Sequence, residues 1–283
     1  MKVKTCWGML AIAMWSGFMS FAGAEIIQDN FDSLNTGTWN DRQSSLGTAP
    51  SFSSGAMTVS AGPGGGHKSI LLSNSTLINP FTAALSVTFS GLMLSGNEGT
   101  GNVNNSFYAI VGRQEADVPD QYKYDRTLYD ADGGALGFRL DVNGTGYQLR
   151  VDDWGNGAGT AAVGQYNLDA MPTDIIWTID GETGSWGLEV VGATLTGFGV
   201  TPGVSGTSDT GTFQYFKAAE FTESDVSRLA FGALSTGSDT TGASAAAVTI
   251  DGLAVAAVPE PATIGMLGVG CVTVMALRRQ LTK

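Results

Sequence analysis

Short runs of alternating apolar and polar residues recur along most of the chain, as in strands that bury one face. "GAMTVSA" puts Met57 and Val59 on one side, and "HKSILLS" follows the glycine turn "GPGGG". "AALSVTFSGLML" alternates Leu85, Val87 and Phe89 with Ser86, Thr88 and Ser90, while "NSFYAIVGR" reads as a more buried strand. "GALGFRLDVNGTGYQLRVDD" is the clearest hairpin, turning at Asn143, Gly144, Thr145 and Gly146, residue types that tolerate positive φ. "TDIIWTIDGETGSWGLEVVGA" makes a second hairpin, turning between Asp180 and Gly184. "VSRLAFGAL" and "AAAVTIDGLAVAAV" complete a set of roughly ten to twelve predicted strands. The one helical candidate, "QYFKAAEFTESDVSR", gives a turn or two of helix, or else loop and strand. With no helices between the strands, βαβ folds are excluded, and two antiparallel sheets packed face to face are predicted.

Both ends of the chain break this pattern. "MKVKTCWGMLAIAMWSGFMSFAGA" has a basic start at Lys2 and Lys4, an uncharged apolar stretch, and small residues at Ala22 and Ala24. It reads as a signal peptide over residues 1–24, cut by signal peptidase after Ala24. At the other end, Val258, Pro259, Glu260 and Pro261 precede sixteen uncharged residues, Ala262 to Leu277, and then Arg278 and Arg279. Sixteen helical residues span about 24 Å, against about 30 Å of hydrocarbon. Thr263, Gly265, Gly268 and Gly270 dilute the apolar character further. The segment suits a transient single transmembrane helix better than a lasting anchor. Arg278 and Arg279 would hold the tail in the cytoplasm. The two prolines would keep the preceding motif extended at the outer membrane surface.

Composition narrows the partners. Five of the 14 basic residues (Lys2, Lys4, Arg278, Arg279, Lys283) but only one of the 26 acidic ones (Glu260) lie in these end segments. Residues 25–258 therefore carry nine basic and 25 acidic side chains, a net charge of −16. Such a surface repels nucleic acid and anionic membrane. The two cysteines, Cys6 and Cys271, also fall in the ends, so the body of an exported protein has none for a disulfide. Its size suffices to bury a core without one. Glycine, at 40 residues, is about twice its usual share, consistent with a turn-rich β protein.

Two resemblances follow. The Pro259, Glu260, Pro261 motif, the apolar segment and the terminal arginine pair together resemble the PEP-CTERM sorting signal of Gram-negative bacteria. That resemblance implies cleavage by an exosortase, transient holding in the inner membrane through residues 262–277, and delivery to the cell surface or an extracellular polysaccharide matrix. The body, residues 25–257, resembles the concanavalin A-like (LamG-like) jelly-roll sandwiches through "IIQDNFDSLNTGTW", "IIWTIDGETGSWGLEVVG" and "AAVTIDGLAVAAV". That resemblance implies that the first and last strands lie close together. The expected layout is thus a signal peptide (1–24), an all-β antiparallel sandwich (25–257) and a sorting signal (258–283).

The body shows few catalytic candidates. His67 is the single histidine, without a nearby G-x-S-x-G, and one histidine with no cysteine cannot build a zinc site. The jelly-roll glucanases carry a Glu-x-Asp-x-Glu-like strand, which is absent here; Glu182 lies in a turn and Glu189 stands alone in "WGLEVVG". Trp154 in "VDDWGNGAG" and Tyr122, Tyr124 and Tyr129 in "DQYKYDRTLYD" are candidates for stacking on sugar rings from loops. Asp130 and Asp132 in "YDADGG", and Asp152 with Asp153, are candidate calcium oxygens, without the full ligand set of a calcium loop. The sequence alone therefore leads to the expectation of a non-catalytic structural or adhesive surface protein. A lectin-like module is the alternative, and a glycoside hydrolase stands third.

Overall fold

The computed structural model describes residues 25–41, 49–61, 67–73, 83–95, 104–113, 135–143, 146–154, 160–213, 227–236 and 246–258. They form antiparallel strands with no helix among them. The helical candidate falls almost wholly outside them, and its last two residues, Ser227 and Arg228, are in a strand.

Three sheets make up the fold. The first has six strands: β1 (Glu25–Asp29), β6 (Leu85–Ser90), β12 (Asp174–Asp180), β13 (Ser185–Val191), β16 (Ser208–Thr212) and β19 (Gly252–Ala257), in the order β1-β19-β6-β12-β13-β16. The second has nine: β2 (Trp39–Asp41), β5 (His67–Ser73), β8 (Asn104–Arg113), β9 (Ala135–Asn143), β10 (Gly146–Trp154), β11 (Thr160–Leu168), β14 (Leu195–Gly197), β15 (Ser205–Gly206) and β17 (Ser227–Thr236). Its order is β15-β14-β11-β10-β9-β8-β17-β5-β2. A third, four-stranded sheet joins β3 (Ser51–Ser53), β4 (Ala56–Ala61), β18 (Ala246–Ile250) and β7 (Met93–Ser95). The two large sheets are the antiparallel all-β sandwich that the alternation predicts, in the jelly-roll form that the concanavalin A-like resemblance implies; the small third sheet is additional to it.

The inner faces of the two large sheets meet in an aromatic core. Phe89 of β6 sits edge-on to Phe107 of β8 at 5.1 Å and near Phe138 of β9 and Phe231 of β17 at 5.9 and 5.5 Å. Phe138 in turn meets Trp177 of β12 edge-on at 5.3 Å. Such tilted pairs add about 0.5–1.5 kcal/mol each to the burial of their area. At one margin the sheets are tied by a polar contact: the Tyr166 hydroxyl of β11 donates to Asp209 of β16 at 2.6 Å.

Two runs that look continuous in sequence are each split between sheets. "LSVTFSGLML" breaks at Gly91, φ 64°, so that β6 joins the six-stranded sheet and β7 the four-stranded one. "AAVTIDGLAVAA" breaks at Asp251 in the same way, into β18 and β19. The breaks are opposite one another: Gly252 pairs with Ser90, and Asp251 N donates to Ser90 O at 2.9 Å. The two paired strands therefore turn the same corner together.

The hairpins are as predicted. Asn143 pairs with Gly146, and Asp180 pairs with Ser185. In the second, the Asp180 carboxylate accepts from Thr183 N at 3.0 Å and Thr183 Oγ1 at 2.6 Å, and Gly184 takes φ 65°. The implied closeness of first and last strands is also found: β1 pairs with β19, Glu25 opposite Ala256. At the far end of the described chain Val258 N donates to Ala84 O at 2.7 Å.

Candidate functional site

The nine-stranded sheet has a second face, turned away from the aromatic core. Along β8 the residues Phe107, Ala109 and Val111 belong to the core cluster, whereas Ser106, Tyr108 and Ile110 do not. The alternation of side chains puts the latter three on the outer face. By the same rule, Arg139 and Asp141 of β9 lie there, between the core residues Phe138 and Leu140 and beyond them. So do Gln148, Arg150 and Asp152 of β10, which alternate with Leu149 and Val151.

Strand register gathers these residues. Tyr108 lies opposite Arg139, Arg139 opposite Arg150, and Arg150 opposite Gln165, so that four polar residues form one row across β8, β9, β10 and β11. The neighbouring row reads Ser106, Asp141, Gln148, Asn167. At about 4.8 Å per strand the rows are about 14 Å long, the length of a few sugar rings.

The charges are held in pairs. Arg139 Nε donates to the Asp141 carboxylate at 2.8 Å, and the Ser106 hydroxyl donates a short hydrogen bond to the same carboxylate. Arg150 Nε donates to Asp152 Oδ1 at 2.5 Å. Both carboxylates are buried, Asp141 at 4% and Asp152 at 2% exposure, while the arginine side chains remain 14% and 33% exposed. Each guanidinium carries five N–H donors, so the Nε bond that holds it leaves others for a ligand. Two arginines directly opposite on adjacent strands repel one another. Each is paired with the buried carboxylate two residues on, which offsets that repulsion.

The two carboxylates do not form a hydrolytic pair. Asp152 lies opposite Gly137, four residues from Asp141, which separates their backbones by about 13 Å along the strand. That is beyond the roughly 5–9 Å of paired glycosidase carboxyls. The proton-transfer candidates on this face are thus Asp141, oriented by Ser106 and Arg139, and the Tyr108 hydroxyl in the row beside it.

Most of the site residues expected from sequence are not among the described residues. Tyr122, Tyr124, Tyr129, Asp130 and Asp132 lie outside the described residues, as do Ala22, Ala24, Pro259, Glu260, Pro261, Arg278 and Arg279. Val258 is described, and its side chain is exposed. Trp154 does not sit in a loop: it is the last residue of β10, two positions beyond Asp152. Asp152 and Asp153, as neighbours on a strand, point to opposite faces and do not converge on one ion. Among the described residues no three His, Cys, Asp or Glu side chains cluster to hold a metal. His67 opens β5 opposite Leu234, Glu182 is exposed in the second hairpin turn, and Glu189 pairs with Ile176 on the other sheet.

Comparison with known proteins adds two findings. Residues 257–280 match the PEP-CTERM protein-sorting motif. The motif implies export, transient membrane anchoring and processing by an exosortase. The body is similar in fold to solved carbohydrate-active enzymes. A β-glucanase from Bacillus licheniformis shares 14% identity, over 82% of this chain and 98% of that one, with a TM-score of 0.43. LamA from Zobellia galactanivorans, solved with laminaritriose and laminaritetraose, shares 11% over 83% and 99%, with a TM-score of 0.45. Alginate lyase A1-II' shares 15% over 72% and 80%, with a TM-score of 0.40. No curated protein matches the chain.

These findings correct the expected molecular role. The expectation of a non-catalytic structural or adhesive body is contradicted to this extent: the folds similar over most of the chain belong to glucanases and alginate lyases. At such identity the likeness is one of fold, and the choice of residues rests on this chain's own geometry.

Proposed function

We propose that the chain is an exported carbohydrate-active protein that lays a polysaccharide along the outer face of the nine-stranded sheet and cleaves it there. The observation that carries this reading is the buried pair Ser106 and Asp141 held by the partly exposed Arg139, with Tyr108 and Arg150 in register beside it. Asp141 is the group that moves a proton, kept in one orientation by Ser106 and Arg139. Tyr108 is the second proton-transfer group, and Gln148, Gln165 and Asn167 hold sugar hydroxyls. A residue that transfers a proton in the transition state contributes about 10²–10⁴-fold to the rate.

The sorting signal supports a place of action. Removal of residues 1–24 and of the segment after Pro259, Glu260 and Pro261 would release the body outside a Gram-negative cell, at its surface or in a polysaccharide matrix. Cut at these points, the body would have both its ends at one margin of the six-stranded sheet, where β1 pairs with β19.

The test is turnover. The purified protein is incubated with a panel of extracellular polysaccharides, and new chain ends are counted. Asp141→Asn and Tyr108→Phe should each lower turnover by about 10²-fold or more. Absence of new ends on every member of the panel, or full turnover in Asp141→Asn, would overturn the reading.

A further inference from the structure

The charged residues are not shared evenly between the two large sheets. The strands of the six-stranded sheet carry six acidic residues (Glu25, Asp29, Asp174, Asp180, Glu189, Asp209) and no lysine or arginine. The strands of the nine-stranded sheet carry five basic residues (Lys68, Arg113, Arg139, Arg150, Arg228), out of nine in the whole body, and four acidic ones (Asp41, Asp141, Asp152, Asp153), so that their sum is +1 against −6. A protein with so few cations has placed more than half of them on one sheet. Two of these, Arg139 and Arg150, face each other across adjacent strands.

Neutral glycans do not require this. Their hydroxyls are satisfied by amides and carboxylates, and their rings by aromatic faces. Two guanidinium groups set side by side instead suit an oxyanion, because each offers a planar fork of donors to carboxylate- or sulfate-like oxygens. The carboxylates of Asp141 and Asp152 offset the repulsion between the arginines in the free protein and hold them in place. A ligand oxyanion is then met by the N–H donors that the Nε bonds leave over on the two guanidinium groups. The acidity of the remaining surface keeps other parts of the molecule from competing for the same polymer.

We infer that the ligand of this face is an anionic polysaccharide, bearing uronate carboxylates or sulfate esters, and that Arg139 and Arg150 together read its anionic group. The inference rests on the polysaccharide reading above and adds the substrate class. Its test is affinity electrophoresis of the full chain in detergent, at low salt, through gels containing alginate, carrageenan or laminarin. Alginate or carrageenan should retard the protein about tenfold more strongly than laminarin, as loss of a charge-assisted contact corresponds to a tenfold change or more. Whichever of the two acts distinguishes carboxylate from sulfate. The retardation should fade as salt is raised. The charge-neutral double variants R139Q/D141N and R150Q/D152N, which avoid leaving a buried carboxylate unpaired, should each abolish it while melting within a few degrees of the parent protein. Retardation by laminarin equal to that by the anionic gels, or anionic binding unchanged in both folded double variants, overturns the inference and leaves the polysaccharide reading standing. Should one double variant fail to fold, the other decides. No retardation in any gel, together with no cleavage of any polysaccharide, overturns both.

Discussion

At the residue scale the candidate site depends on a repeated Arg-x-Asp, Arg139 to Asp141 in "FRLDV" and Arg150 to Asp152 in "LRVDD". Each triplet places a cation and an anion on one face of a strand and a fully buried apolar residue on the other. The triplets are plain in the sequence, but their meaning depends on the hairpin register that brings Arg139 opposite Arg150, which one misplaced turn residue would change. Ser106 and Tyr108 carried no signal at all, since an alternating strand does not say which of its faces is the core. Trp154 was visible and its strand position was not, because "DDWGNGAG" has turn composition up to its edge. Away from the site, Tyr166 is buried and bonded to Asp209, and burial first, then that bond and the aspartate's charge, push its hydroxyl far above the ordinary value. A raised value means the stabilisation is complete below the unfolded tyrosine pKa of about 10 and is lost as the pH rises above it. Tyr166→Phe should cost about 1–3 kcal/mol at neutral pH and remove that alkaline loss, read from urea midpoints at pH 7 and 10.5. Asp169 runs the opposite way. Its carboxylate accepts from Thr194 N at 2.7 Å, and this bond lowers its pKa. Its contribution is present above the ordinary aspartate value and lost as the pH falls through the lower folded one. Asp169→Asn should therefore leave less of the acid-side decline in melting temperature between pH 5 and about 2.

At the scale of elements, alternation located β4, β5, β6, β8, β9, β10, β12, β13 and β17, because each has one apolar face and a turn signal at its ends. It missed β11, with its "TAAVGQYNL", and the short strands β14 to β16, where glycine and threonine replace the large apolar residues that mark a buried face. It also ran β6 into β7 and β18 into β19. A corner made by Gly91 and Asp251 does not disturb the apolar period on either side, so only the third dimension reveals it. Gly91 has positive φ, and a side-chain carbon there would run into the Asp251 carboxylate. Gly91→Ala should lower stability by about 1–3 kcal/mol, measured as a shift in urea midpoint at unchanged slope. A neutral result would mean that the corner relaxes freely. Gly211 sets a comparable limit near the tied margin, where an added Cβ would lie 2.5 Å from the indole of Trp186.

For the whole molecule, the sequence alone reaches the fold class and the sorting signal, because both are written in periodicity and composition over long stretches. It does not reach the uneven charge between sheets, since the strands of one sheet come from distant parts of the chain. Processing belongs to this scale. Intact-mass measurement on protein from the native host should show loss of residues 1–24 and of the apolar segment 262–277, and a mature species retaining that segment would count against sorting. The central claim is that the outer face of the nine-stranded sheet is where a polysaccharide acts. Hydrogen–deuterium exchange of the Asp141→Asn variant, with and without a saturating oligosaccharide of the polysaccharide cut best, tests it directly. The account predicts added protection in peptides covering 104–113, 135–154 and 160–168, with 85–90 and 174–191 unchanged. Protection confined to the six-stranded sheet, or none at saturation, would contradict it.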